Sequence, residues 1–79
     1  MQMRYYFDVS SDRMQTRDEE GCELASETLM QGEARRILAE IAEDEARFYT
    51  RATLTARVRD ASGTPVYRAV LTLEGQPLQ

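Results

Sequence analysis

The stretch RATLTARVRDASGTPVYRAVLTLE, residues 51–74, decides the fold. Two segments in which apolar and polar residues alternate flank Ser62-Gly63, a pattern typical of an antiparallel β-hairpin. A two-residue loop at Ser62-Gly63 predicts that only apolar residues pair on one face. The predicted pairs are Val58 with Tyr67, Ala56 with Ala69, Leu54 with Leu71 and Ala52 with Leu73. A slip of one residue would bring Arg68 into the core, so the sequence favours this register.

The same register predicts the opposite surface of the hairpin, which we call the helix-free face. Its predicted members are Arg51, Thr53, Thr55, Arg57, Arg59, Val66, Arg68, Val70 and Thr72, with Arg4 and Tyr6 nearby. Arg57 faces Arg68 directly, and like charges in this position destabilise a sheet unless an anion lies between them. Candidate anions are Asp8, Asp60, or a carboxylate or phosphate from outside the domain. Among these we expect an internal pair between an arginine and Asp8.

The rest of the chain supplies a helix and further strands. Residues 3–10, MRYYFDVS, alternate as in a strand with one buried face, and CELA, residues 22–25, is compatible with a short second strand. The polar stretch between them, residues 10–21, has no period and predicts a loop. Ser26 suits the N-cap of a helix over residues 27–47. The apolar stripe of this helix comprises Met30, Ala34, Ile37, Leu38 and Ile41.

These elements predict one α+β domain spanning residues 1–79. We expect two layers, one long helix packed on a small antiparallel or mixed sheet, in the order β-β-α-β-β. The order becomes β-α-β-β if the short strand does not form. Because proline cannot donate a ladder hydrogen bond, Pro65 indicates that the last strand lies at an edge of the sheet.

The composition argues against most enzymatic chemistry. The 79 residues contain no His, Lys, Trp or Asn, and Cys22 is the single thiol. A Ser-His or Cys-His pair, a Schiff base and an internal disulfide are therefore excluded. We expect a protein without enzymatic activity, with no catalytic residue, cofactor or metal. A net charge of −4 argues against nucleic acid, and the lack of a signal peptide or long apolar run predicts a cytoplasmic protein without membrane contact.

The acidic stretch TRDEEGCELASE, residues 16–27, invites comparison with a calcium loop. Aligned on Gly21, it places Asp18, Glu20 and Glu27 at ligand positions but Thr16 where the first carboxylate belongs. A strand precedes the stretch, where an EF-hand has a helix. We therefore interpret it as an exposed loop in which Gly21 supplies a positive φ. Cys22 is expected to be a small, partly buried strand residue.

The order RYYFDV, DEEG, EARRILAEIAEDEAR and VRDASGTPVYRAVLTLE resembles a family of short uncharacterised alphaproteobacterial proteins classed as a domain of unknown function. The resemblance spans Arg4 to Glu74 and implies a fold and a bacterial cytoplasmic setting, with no activity to carry over. A weaker similarity to the partial RNase H-like domain of HicB antitoxins involves Gly21, Cys22 and residues 28–34. It implies a protein that covers a basic toxin, without the DNA-binding segment.

Two functional hypotheses follow. The first is a small interaction module, self-associating or adaptor-like, that contacts another protein or a second copy of itself through the helix-free face or the acidic helix. The second is an acidic inhibitor, antitoxin-like or nucleic-acid-mimicking, that blocks a basic site on an enzyme. The residues predicted to contact a partner are Arg4, Tyr6, Arg57, Arg59, Arg68, Glu40, Glu43 and Asp44. Binding of single-stranded nucleic acid by the sheet is a third, weaker hypothesis.

Overall fold

A computed structural model describes residues 2–79 and shows one helix packed on one face of an antiparallel sheet. The elements are β1 (Met3–Ser11), β2 (Gln15–Thr16), β3 (Cys22–Leu24), α1 (Glu27–Phe48), β4 (Arg51–Asp60) and β5 (Pro65–Glu74). The order along the sheet is β2-β1-β4-β5, and β3 also pairs with β1. The predicted two-layer α+β fold is confirmed, with one strand more than expected because β2 interrupts the predicted loop.

The predicted register of the β4–β5 hairpin is confirmed. All four predicted apolar pairs occur, and β5 lies at the edge of the sheet. The inward residues of β4 are completely buried, whereas the alternating threonines and arginines face away from α1. The hairpin therefore separates an apolar face beneath the helix from a polar face opposite it.

The predicted two-residue loop at Ser62-Gly63 is wrong. The backbone N–H of Gly63 donates to the carbonyl of Asp60 over 3.0 Å, and the N–H of Asp60 donates to the carbonyl of Thr64 over 2.9 Å. The loop thus has three residues, with Gly63 at a φ of 88°. A register shift between Val58 and Arg59 absorbs the additional loop residue before it reaches the core pairs.

The core forms where α1 covers the sheet. Met30, Ala34 and Leu38 are buried, and Ile37 and Ile41 pack against them, which confirms the predicted stripe. The sheet contributes the remaining buried apolar residues, namely Tyr5, Phe7, Val9, Ala52, Leu54, Ala56, Val58 and Ala69. The N-cap prediction is also confirmed, because the Ser26 hydroxyl accepts a hydrogen bond from the Leu29 N–H over 3.1 Å.

Candidate interaction surface

Arg57 and Arg68 lie opposite one another on the helix-free face, as predicted. Both side chains are exposed. Within residues 2–79, neither forms a salt bridge or a hydrogen bond through its guanidinium group. We call these two residues the arginine pair. A cross-strand pair of like charges is unfavourable unless a nearby carboxylate neutralises it.

Asp8 is paired with a different arginine. Its carboxylate accepts hydrogen bonds from Nε of Arg59 over 2.7 Å and from Nη2 over 3.1 Å. These bonds from Arg59 outweigh partial burial and hold the pKa of Asp8 below its ordinary value. The expected internal arginine–Asp8 pair therefore exists. Its arginine is Arg59, although Asp8 stands directly opposite Arg57 in the β1–β4 register.

Asp60 is occupied by the hairpin loop. Its Oδ1 accepts hydrogen bonds from the hydroxyl and N–H of Ser62 and from the N–H of Thr64, over 2.7 to 3.0 Å. The Ser62 hydroxyl and these backbone donors lower the pKa of Asp60. Both internal candidates are thus bound by groups outside the arginine pair. A carboxylate or phosphate from outside the domain remains as the candidate anion.

The acidic loop, residues 17–21, fills a gap in the sheet. β2 and β3 pair with the same edge of β1. The pairing with β2 ends at Val9 and the pairing with β3 begins at Tyr5, so neither strand reaches the N–H of Phe7 between them. The Asp18 carboxylate accepts this hydrogen bond over 3.0 Å. It also accepts the N–H groups of Glu20 and Gly21. Asp18 therefore joins the loop to β1.

The electrostatics of Asp18 follow from this position. Partial burial opposes its ionisation, but the N–H groups of Gly21, Phe7 and Glu20 outweigh burial and hold the pKa of Asp18 below its ordinary value. The N–H of Asp18 in turn donates to Asp8 over 2.9 Å. The sequence predicted an acidic loop without assigning this structural role to Asp18, since a carboxylate that replaces a missing strand leaves no periodic signal.

Three of the predicted contact residues also hold the acidic loop. Arg59 donates to the carbonyl of Asp18 over 2.8 Å and lies 4.8 Å above the ring of Tyr6. Arg4 donates to the carbonyl of Glu20. Gly21 has the predicted positive φ, at 74°, and a Cβ there would approach Tyr6 to 2.9 Å. Arg4, Tyr6 and Arg59 are therefore engaged within the domain.

Cys22 departs from its prediction. It lies in β3 as expected, but it is exposed where partial burial was predicted. β3 lies at the border of the sheet and only its last residue, Leu24, packs against the core. The side chain of Cys22 is consequently outside the apolar layer.

Broad depressions surround the arginine pair on the helix-free face. One, of about 570 Å³, is lined by Ser10, Thr55, Arg57, Pro65, Tyr67 and Arg68. A second, of about 490 Å³, extends from Arg57 towards Arg17 and Gln15. Both are open to solvent and lined by polar and apolar groups in similar proportion. This shape suits a segment of another protein better than an enclosed small molecule.

The acidic helix residues lie on a separate surface. Glu40 forms a salt bridge with Arg36 over 2.8 Å, whereas Glu43 and Asp44 are exposed and form no salt bridge within the described part of the chain. Arg36 also forms a salt bridge with Glu33 over 2.9 Å. The predicted contact residues therefore fall into two groups, on opposite layers of the domain.

The fold and this surface define a small α+β domain with an arginine-bearing open sheet. The chain belongs to the family DUF6894, a domain of unknown function, which matches residues 4–72. No curated protein and no solved structure shows significant similarity to the chain. Among residues 2–79, no helix is long and apolar enough to cross a membrane.

Proposed function

We propose that this protein is a non-enzymatic interaction module whose helix-free face binds an acidic segment of a protein. The observation that carries the proposal is the arginine pair, which faces solvent while both internal candidate anions bind elsewhere. A carboxylate placed between Arg57 and Arg68 relieves their repulsion and gains two charge-assisted hydrogen bonds. Binding of a carboxylate is therefore favoured both by the new hydrogen bonds and by the loss of the repulsion between the two arginines.

The shape of the surface supports a protein partner. Thr53, Thr55 and Thr72 provide hydroxyl groups along the sheet, and Val66 and Val70 are 44% and 56% exposed beside Arg68. A mixture of apolar contact area and a central arginine is typical of protein interfaces. The overall charge of −4 opposes a nucleic-acid backbone and leaves the arginines as a local site for carboxylates.

Titration with a hexaglutamate peptide tests the proposal, with a hexaglutamine peptide as the neutral control. We expect hexaglutamate to shift the backbone NMR signals of β4 and β5 around the arginine pair, at a protein concentration where the chain is monomeric. Arg57→Gln with Arg68→Gln should weaken binding at least about tenfold, equivalent to about 1.4 kcal/mol. Arg36→Gln with Arg47→Gln changes the net charge equally but lies on the helix, and it should leave binding within about twofold.

The second hypothesis, an acidic inhibitor, requires the opposite result. Exposure of Glu43 and Asp44 without a salt bridge is the observation in its favour. It predicts that a hexa-arginine peptide binds α1, and that combining Glu40→Gln, Glu43→Gln and Asp44→Asn abolishes this binding. Signal changes confined to α1, or hexaglutamate binding that is insensitive to the arginine pair, would reject the proposed binding face.

A further inference from the structure

The free edge of β5 presents a regular row of unused backbone groups. The N–H of Gly75 donates to the carbonyl of Thr50 over 2.8 Å, in the same register as the core pairs of the hairpin. Because hydrogen-bonded pairs alternate along an antiparallel ladder, the odd-numbered residues of β5 point their backbone groups at β4. The even-numbered residues point theirs at solvent, namely Arg68, Val70, Thr72 and Glu74.

Little on β5 protects this edge from pairing. Between Arg68 and Glu74 the strand has no proline, and the register shift of the hairpin lies nearer the loop, between Val58 and Arg59 opposite. Native sheets block exposed edges with such features, and a long edge without them readily accepts another strand. The outward backbone groups of β5 can therefore form hydrogen bonds with an additional strand.

We infer that the edge accepts the β5 strand of a second copy of the chain, antiparallel, with Leu71 at the twofold axis. This inference rests on the proposed function and names the partner that delivers the carboxylate. In this register Arg68 stands opposite Glu74 of the second copy. The arginine pair is then followed across the sheet by a glutamate of the second copy, whose carboxylate also forms a salt bridge with its own Arg51 over 2.6 Å. This glutamate differs from Asp8 and Asp60 because strand pairing places it directly opposite Arg68.

In the combined sheet, the new contact places opposite charges next to the arginine pair. Asp8 lies opposite Arg57 and Arg57 opposite Arg68 within one copy. Within the other copy, Glu74 lies opposite Arg51 and forms a salt bridge with it. Pairing Arg68 of one copy with Glu74 of the other joins these two sets of residues through opposite charges. By contrast, a twofold axis at Arg68 itself would place two arginines together, and an axis at Val70 would oppose Arg68 with Thr72.

The apolar side of the same register is also complementary. An open groove of about 350 Å³ lies between α1 and β5 and is lined by Arg35, Leu38, Tyr67, Arg68, Ala69, Val70 and Leu71. The twofold axis brings the two Leu71 side chains together beside this groove, and it places Leu73 of each copy opposite Ala69 of the other. Both α1 helices then lie on the same face of one continuous sheet. The contact covers partly exposed leucines that the isolated domain leaves at the border of its core.

Complementary charge reversal tests the register by sedimentation velocity. We expect the unmodified chain to dimerise, and Arg68→Glu or Glu74→Arg alone to weaken the dimer at least about tenfold, since each places two like-charged pairs across the interface. Mixing the two variants should restore a dimer, because both cross-strand pairs then join opposite charges. Circular dichroism of each variant alone should match that of the unmodified chain, which separates lost pairing from lost folding.

Val70→Pro tests the edge, because it removes an outward N–H that the second copy needs, and we expect a folded monomer. Glu74→Arg, which leaves Arg57 and Arg68 in place, separates this inference from the proposed function. We expect it to be monomeric alone and still to bind hexaglutamate at its arginine pair. An unmodified chain that stays monomeric up to about 1 mM, or a mixture of the charge variants that stays monomeric, overturns the second copy as partner. If hexaglutamate binds in that case, the proposed function stands without this partner. If hexaglutamate binds no form of the chain, the proposed function fails as well.

Discussion

Asp18→Ala is expected to lower the free energy of unfolding by about 3 kcal/mol. The Asp18 carboxylate accepts hydrogen bonds from the N–H groups of Phe7, Glu20 and Gly21. Hydrogen bonds to a charged group contribute roughly 1.5–3 kcal/mol each and are not additive, and the partly buried Phe7 donor is left unpaired when the carboxylate is removed. Urea unfolding followed by circular dichroism measures the loss, which is large for a domain of this size.

Glu19→Ala is the matched control for Asp18→Ala. Glu19 belongs to the same acidic loop, but it is exposed and forms only a salt bridge of 3.7 Å with Arg17. We expect its removal to change stability by less than about 0.5 kcal/mol. Equal losses for Asp18→Ala and Glu19→Ala would mean that loop charge, and not the link between the loop and β1, determines the stability.

Leu54→Ala should destabilise the domain by a similar amount, about 3 kcal/mol, through a cavity in the core. Leu54 is completely buried, pairs with Leu71 and belongs to the cluster that α1 covers. Thr53→Ala changes the preceding residue, which faces away from the helix, and should alter stability by less than about 0.5 kcal/mol. Thermal and urea unfolding measure the loss of stability in both variants. A greater loss for Thr53→Ala would mean that the faces of β4 are exchanged.

Much of the fold was predictable because one face of each long strand is apolar. In β1, β4 and β5 the face beneath the helix is mainly apolar, although β5 also carries Val66 and Val70 on its outward face. A slip in register would bury an arginine, so burial selects the observed pairs. The helix stripe and its Ser26 cap are likewise local patterns. The loop length was not predictable in this way. Asp60 organises a three-residue loop through hydrogen bonds. Because the register shifts at Arg59, the additional loop residue leaves the pairing of the core residues unchanged.

The candidate surface was predictable only in part. The register placed Arg57 opposite Arg68, but it could not show that Asp8 would turn to Arg59. That choice depends on the acidic loop, whose backbone at Asp18 binds both Asp8 and Arg59. These contacts join residues ten or more positions apart through side chains, and no periodic pattern indicates them. The exposed position of Cys22 was missed for a related reason, since β3 is too short for its alternation to identify a buried side.

A double-mutant cycle on the arginine pair tests most directly whether Arg57 and Arg68 repel one another without a neutralising anion. Arg57→Thr, Arg68→Thr and the double variant are unfolded in urea at low salt, at a protein concentration where the chain is monomeric. We expect each single change to raise the free energy of unfolding by about 0.5 kcal/mol and the second change to add little, because the repulsion is already removed. This coupling should disappear at about 1 M salt. Additive effects at low salt, or a coupling that salt does not reduce, would contradict an uncompensated arginine pair on this face.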